Sequence, residues 1–429
     1  MSLTISSLRG LRDLYPDDMS LRSYIFNGWR TVVESYGYRE YMAPMLEPLA
    51  MYAAKSGDEI ANDQTYTFTD RGGREVAIRP EMTPSITRMV AAKRQELPLP
   101  ARLYSIANFM RYERPQHGRE REFWQLNFDL FGDTGVSGDI EIIHLAYDIV
   151  KYFGATSEMF TIKVNNRKLT NFIMCDYLQL NSDQAAAMIK LLDRYDKLPR
   201  STFELCVRDI VGDNSQLLDK IDKIIQTNEL SDLPAVVIDS APAKELATLI
   251  DALHTLGVDN ARYDVRLMRG FDYYTGTVFE VFDENPTNKR AMFGGGRYDG
   301  LVAMFGVEAL PVVGAAPGET MFVEFLRAHS LIPDLSDGID IYLIPIGHAN
   351  YMPAEVAAKE LRAKGIIVAV DNTQRRLDKQ IKAGVKHRAR YLAFIGDEET
   401  KSKTIQLKHS ATGEQLNLTI DEIVQKLTQ

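Results

Sequence analysis

Residues 111–122 read RYERPQHGRERE, four arginines among three glutamates. A guanidinium stays charged at any relevant pH, and its planar fork of donors matches the oxygens of a phosphate. Interleaved glutamates would hold the arginines in place and could ligate a Mg2+ ion bridging a polyphosphate. A solvated salt-bridge surface is the competing reading of the same loop. A second candidate is RGFDYYTGTVFE, in which Arg269 sits within an otherwise apolar and aromatic strand. An unpaired charge there is costly, so Arg269 either pairs with a structural carboxylate or faces a site where an anion arrives. Tyr273 and Tyr274 are read as adjacent strand residues pointing to opposite faces.

Two further stretches carry weaker signals. The glycines of FGGGRYDG, residues 293–300, would let backbone approach a ligand closely, but the stretch is neither GxGxxG nor a P-loop and reads as a tight turn. RRLDKQIKAGVKHRAR, residues 375–390, holds seven Lys or Arg against one Asp. That density in a chain of net charge -9 suggests contact with a phosphate backbone, RNA before DNA.

These residues need elements to position them. LYSIANFMRYE, the charged loop and FWQLNFDLFG read as strand, loop, strand; Gln125, Asn127 and Asp129 alternate with Leu126, Phe128 and Leu130. A period of two sends one set to a core and the other to a polar face. Residues 137–154 have helical spacing with a Ser or Asp cap candidate and a terminal glycine. Residues 165–227 read as a helical insertion, and strand character returns over 263–282. A hydrophilic linker at 327–338 ends a first domain at 326. From 339 to 429, short apolar runs alternate with helical segments, which predicts a small α/β domain with a mostly parallel sheet.

The bulk numbers exclude several classes. The 429 residues, 45 % hydrophobic, contain no run of about 18 apolar residues and no signal-peptide start, which predicts a soluble, cytoplasmic protein without membrane association. Cys175 and Cys206 form no CxxC pair and seven scattered histidines form no ligand set, so reduced, mostly buried thiols and no protein-bound metal are expected.

Taken together, LRGLRDLYPDD, YGYREYMAPMLEP, TFTDRGGREVAIRPEMTPSITRMVA, FMRYERPQHGREREFWQL, RGFDYYTGTVFE and GGGRYDGLV resemble the histidyl-tRNA synthetases, class II aminoacyl-tRNA synthetases, over nearly the whole chain. The resemblance implies an α+β catalytic domain of antiparallel sheet flanked by helices, followed by an α/β anticodon-binding domain. It also implies a homodimer, through Pro44. Histidine would attack the α-phosphate of ATP, with Mg2+ accompanying the nucleotide, and the acyl group would pass to tRNA(His).

By the same resemblance Arg111 and Arg269 are catalytic. Glu81, Thr83, Gln125, Asp129, Tyr273 and Tyr274 join them in binding histidine. Glu113, Arg119, Arg121 and Phe123 join Arg111 in binding ATP, with Phe123 stacked on adenine. Arg114, Gln116, Arg375, Arg376 and Lys379 face tRNA. Asp129 and Tyr274 would read the two imidazole nitrogens. Two departures stand out: Asp129 occupies a position where many bacterial members have Glu, and the phosphate-gripping arginine of the third class II motif falls on Met321. The loss at 321 leaves open a second reading, a histidine-sensing regulatory subunit of the ATP phosphoribosyltransferase type.

Overall fold

The computed structural model describes residues 5–53, 64–268, 273–335 and 338–428. The chain divides into two compact units. One holds the described residues up to Leu14 and from Leu21 to Pro333; the other holds Tyr15–Ser20 and the described residues from Asp334 onward.

The first unit is built on an eight-stranded sheet. Its spatial order is β1 (Arg39–Glu40), β5 (Ala101–Met110), β6 (Glu122–Phe131), β11 (Val312–Ala315), β10 (Ala291–Arg297), β9 (Thr277–Asp283), β7 (Phe160–Asn166) and β8 (Ala261–Tyr263). Pairings from β5 through to β7 are antiparallel, and β1 and β8 join the edges in parallel. Leu126, Phe128 and Leu130 of β6 point into a core shared with Ile25 and Trp29 of the helix Pro16–Ser35. Ile142 and Ile149 of Val136–Tyr152 and Phe322 of Glu319–Ala328 complete it. Each such side chain contributes roughly 1.5–3 kcal/mol on burial. A separate small sheet orders β2 (Leu46–Pro48), β4 (Glu75–Ile78) and β3 (Thr67–Thr69).

Local details differ from the sequence reading for identifiable reasons. The cap of Val136–Tyr152 is Gly135. Ser137 instead donates to Asp133, and Asp139 turns inward to Arg297 at 2.6 Å. FGGGRYDG is not one tight turn: Gly294, Gly295 and Gly296 lie in β10, where Gly295 pairs with both Phe279 and Ala315, and only the end at Asp299 and Gly300 turns. Between β7 and β8 the chain is helical, from Arg167–Asn171 to Ala241–Thr255. Cys175 and Cys206 lie there as free thiols, the first exposed and the second half-buried, against the expectation of burial. Their neighbours Met174 and Val207 take the inward positions of these helices.

In the second unit a five-stranded sheet orders β13 (Val368–Val370), β12 (Ile341–Pro345), β14 (Tyr391–Ile395), β15 (Ile405–His409) and β16 (Gln415–Leu418). The first three are parallel, and β15 and β16 are antiparallel additions. The connection from β14 to β15 holds only the short helix Asp397–Ser402, too little chain for a parallel crossover. Ile341, Leu343 and Ala393 pack with Ala354, Ala358 and Leu361 of the helix Tyr351–Ala363. Tyr342, Ile344 and Leu392 form a second cluster, with Ile381 and Ala383 of the helix Leu377–Lys386 packed against it. Burial on both faces explains the nearly continuous apolar runs.

Candidate active site

The polar set of β6 lines a cavity of about 360 Å³. Phe123, Gln125, Asn127 and Asp129 project into it while their even-numbered neighbours Leu126 and Phe128 fill the core. Glu81 and Thr83 enter from the start of the helix Thr83–Ala92. The loop between β5 and β6 contributes Arg111, Glu113, Gly118, Arg119 and Glu120, and Met321 closes the wall from Glu319–Ala328.

The loop is a folded tip rather than an open coil. Backbone bonds join Arg111 to Arg121 at 2.8 Å, and Gln116 and Arg119 bond to each other in both directions. Gly118 takes φ +72, and a side chain there would collide with the Met321 sulfur. Arg111 leaves the end of β5 and donates its Nε to Pro80 O at 2.9 Å, with its guanidinium over the Phe123 ring at 5.1 Å. Burial lowers its pKa, and the neighbouring Glu81 and Glu113 charges oppose that. Arg119 pairs with Glu113 at 2.7 Å.

Arg121 is absent from the wall. Its guanidinium stacks on Tyr112 at 4.2 Å and its Nε reaches Glu113 O, so the expected reach to outer phosphates is not seen in this loop conformation. Arg114 and Gln116 are exposed at the tip.

At the inner end Asp129 is 5 % exposed. Burial raises its pKa to about 7, against the hydrogen bond donated by the Tyr298 hydroxyl. The carboxylate fits because Gly314 lies directly across the ladder, where a β-carbon would overlap Asp129 Oδ1. Tyr273 donates to Glu81 Oε2 at 3.3 Å, and its ring meets Tyr274 at 4.9 Å and Tyr298 at 5.6 Å.

Both Tyr273 and Tyr274 line the cavity, which corrects the expectation that adjacent strand residues would face opposite ways. Neither lies in a strand: strands occupy Ala261–Tyr263 and Thr277–Asp283, and the described residues between them lie outside any strand. Arg269 lies outside the described residues.

Sequence reasoning missed Tyr298, Glu120, Glu280 and Trp124 on this wall. Asn127 was already marked by the alternation of β6. Tyr298 follows the glycines of β10, and its role depends on a contact with a strand 169 residues away. Among the described residues the wall carries the carboxyls of Glu81, Glu113, Glu120, Asp129 and Glu280 against the guanidiniums of Arg111 and Arg119. A polyanion entering this site needs additional positive charge.

In the second unit Arg376 caps the helix Leu377–Lys386 and is exposed, as is Lys379. Arg375 donates to Thr373 at 2.7 Å and lies 3.4 Å from the buried Asp371, which also accepts from Tyr342 at 2.8 Å.

Comparison with known proteins supplies a family. A histidyl-tRNA synthetase model matches residues 10–318, and an anticodon binding domain model matches 340–429. A histidine–tRNA ligase of Leptospira biflexa serovar Patoc is 39 % identical over 430 residues, 100 % of this chain and 98 % of the relative. The fold is similar to a histidyl-tRNA synthetase from Nostoc sp. PCC 7120, with TM-score 0.83 at 24 % identity over 99 % of this chain and 100 % of that one. It is also similar to a Bacillus halodurans structure described as an ATP phosphoribosyltransferase regulatory subunit/histidyl-tRNA synthetase, with TM-score 0.76 at 21 % identity over 89 % of this chain and 97 % of that one. At those identities the structures speak for the fold alone. The full-length sequence match and the domain models decide the family: this chain belongs to the histidyl-tRNA synthetases.

Proposed function

We propose that the chain is a histidine–tRNA ligase that activates L-histidine with ATP, releases pyrophosphate and transfers the histidyl group to tRNA(His). The observation that carries this reading is the cavity itself. A buried carboxyl and tyrosines lie at one end, an arginine and an aromatic ring at the centre, and a charged loop at the other.

In this reading Glu81, Thr83 and Gln125 receive the α-amino group, and Arg111 holds the carboxylate beside the α-phosphate. Asp129 and Tyr274 read the imidazole, and Tyr273 fixes Glu81. A neutral imidazole has one donor and one acceptor, so a carboxylate and a hydroxyl on opposite sides recognise it. Phe123 stacks on adenine, Glu113 lies with the nucleotide, and Arg119 meets the outer phosphates once it leaves Glu113. Arg269 acts at the α-phosphate and Arg121 near the outer phosphates; Arg121 would have to leave Tyr112 to do so.

A histidine carboxylate oxygen attacks the α-phosphorus and pyrophosphate leaves. Negative charge grows on the phosphoryl oxygens, where aligned guanidiniums stabilise it most. The terminal ribose hydroxyl of tRNA then attacks the activated carbonyl, and AMP departs. Mg2+ would accompany the nucleotide: Glu113 on the wall offers the oxygen ligands such an ion prefers, and the ion would supply charge neutralisation at the polyphosphate. Arg114 and Gln116 at the loop tip, with Arg375, Arg376 and Lys379, contact tRNA.

A homodimer is what the resemblance at Pro44 implies; Met42, Met45, Leu46 and Phe68, on and beside the small three-stranded sheet, are exposed apolar side chains that a partner would cover. Cytoplasmic residence follows from the role in translation. No described helix is long and apolar enough to cross a membrane.

Met321 favours a second reading, a histidine-sensing regulatory protein, because methionine cannot grip phosphate. Losing one electrostatic donor of that kind costs about 3 kcal/mol when nothing compensates. Histidine-dependent exchange of pyrophosphate into ATP separates the two. The enzyme reading expects exchange by the wild-type chain with Mg2+. Histidine binding without exchange, with exchange appearing only in Met321→Arg, would establish the regulatory reading.

A further inference from the structure

The N-terminal segment is bound to the arginine loop at two points. Gly10 O accepts from Arg121 N–H at 2.9 Å, and a methyl group added at Gly10 would come within 2.8 Å of Pro115 and 2.9 Å of the Arg121 side chain. Two residues on, Arg12 Nε meets Glu120 Oε1 at 2.6 Å, whereas its distance to Glu319 is 3.9 Å. Glu319 already has a two-pronged partner in Arg22, at 2.8 and 2.7 Å. The strong partner of Arg12 is therefore Glu120.

Glu120 lies on the cavity wall with Thr320 and Met321, and its side chain is 18 % exposed. Burial raises its pKa, Arg12 opposes that rise and the Glu319 charge reinforces it. Arg119, on the same loop, is engaged by Glu113. An uncompensated Glu120 carboxylate would thus face any polyphosphate approaching Met321, in a partly dehydrated place where repulsion is poorly screened.

We propose that Arg12 is a positioning residue for ATP: paired with Glu120, it ties the loop to the N-terminal segment and cancels a wall carboxylate that would repel the outer phosphates. This rests on the reading of the cavity as an ATP site. Arg12 need not touch the nucleotide, because its effect passes through Glu120.

Calorimetric titration with Mg·ATP alone, and separately with L-histidine alone, tests it on the full chain. Arg12→Gln should weaken Mg·ATP binding about tenfold while histidine affinity and the unfolding midpoint stay at wild-type values. Arg12→Lys should recover most of the loss, and the double variant Arg12→Gln with Glu120→Gln should recover part by removing the uncompensated charge. Unchanged Mg·ATP affinity in Arg12→Gln overturns the proposal, as does an equal loss for both ligands. A double variant no better than the single also overturns it, since Arg12 would then act on the nucleotide directly. If the wild-type chain binds no Mg·ATP, the ATP-site reading itself fails.

Discussion

Under the proposed function, Asp129 sets stability against specificity in one side chain. Moving a carboxyl from 3.8 to about 7 corresponds to about 4 kcal/mol against its charged form. The folded-state pKa is raised, so between about pH 4 and pH 7 the folded chain holds a proton that the unfolded chain releases. Stability from this group is retained at low pH and lost as pH rises towards 7, the reverse of an ion-paired aspartate. Asp129→Asn keeps an acceptor for Tyr298 and removes the charge. It should therefore raise the unfolding midpoint at pH 8 and leave it nearly unchanged at pH 4, while histidine affinity at pH 8 falls at least tenfold. Scanning calorimetry at the two pH values, with a histidine titration, checks both halves. Equal midpoints at pH 8 would show that burial imposes no such penalty.

At the scale of elements, the site depends on strands that approach closely enough for two side chains to occupy the missing β-carbons of glycines. Asp129 uses the space at Gly314, and Tyr274 that at Gly296. Gly314→Ala should displace Asp129, lower histidine affinity by about a hundredfold and cost about 1–3 kcal/mol of stability through overpacking. A titration showing normal histidine affinity would remove Asp129 from the recognition site.

This dependence also marks the limit of what the sequence could reveal. The alternation of Gln125, Asn127 and Asp129 with Leu126 and Phe128 is a local property of one strand, so the polar face and the adjoining loop were legible. The glycines of β10 read as a turn because their demand for space comes from strands distant in sequence. Tyr298 was missed for the same reason. Tyr273 and Tyr274 were misplaced because aromatic composition resembles strand whether or not the backbone forms a ladder. The capture of Arg121 by Tyr112 and Glu113 is likewise a tertiary choice that charge spacing does not encode.

Over the whole molecule, the two chemical steps make different demands. In the proposed function, adenylate formation would need histidine, ATP and the cavity of the first unit, whereas transfer would also need tRNA held by Arg375, Arg376 and Lys379 of the second. Replacing Arg375, Arg376 and Lys379 together with alanine should leave pyrophosphate exchange at the wild-type rate. Charging should fall at least tenfold and depend less steeply on salt, since fewer phosphate contacts release fewer counterions. The most direct measurement is the attachment of labelled histidine to tRNA(His) by the wild-type chain with Mg·ATP, run beside the exchange assay. The proposed function predicts that both proceed, and that the triple variant loses only the first. A wild-type chain that binds histidine but neither exchanges pyrophosphate nor charges tRNA(His) would contradict it.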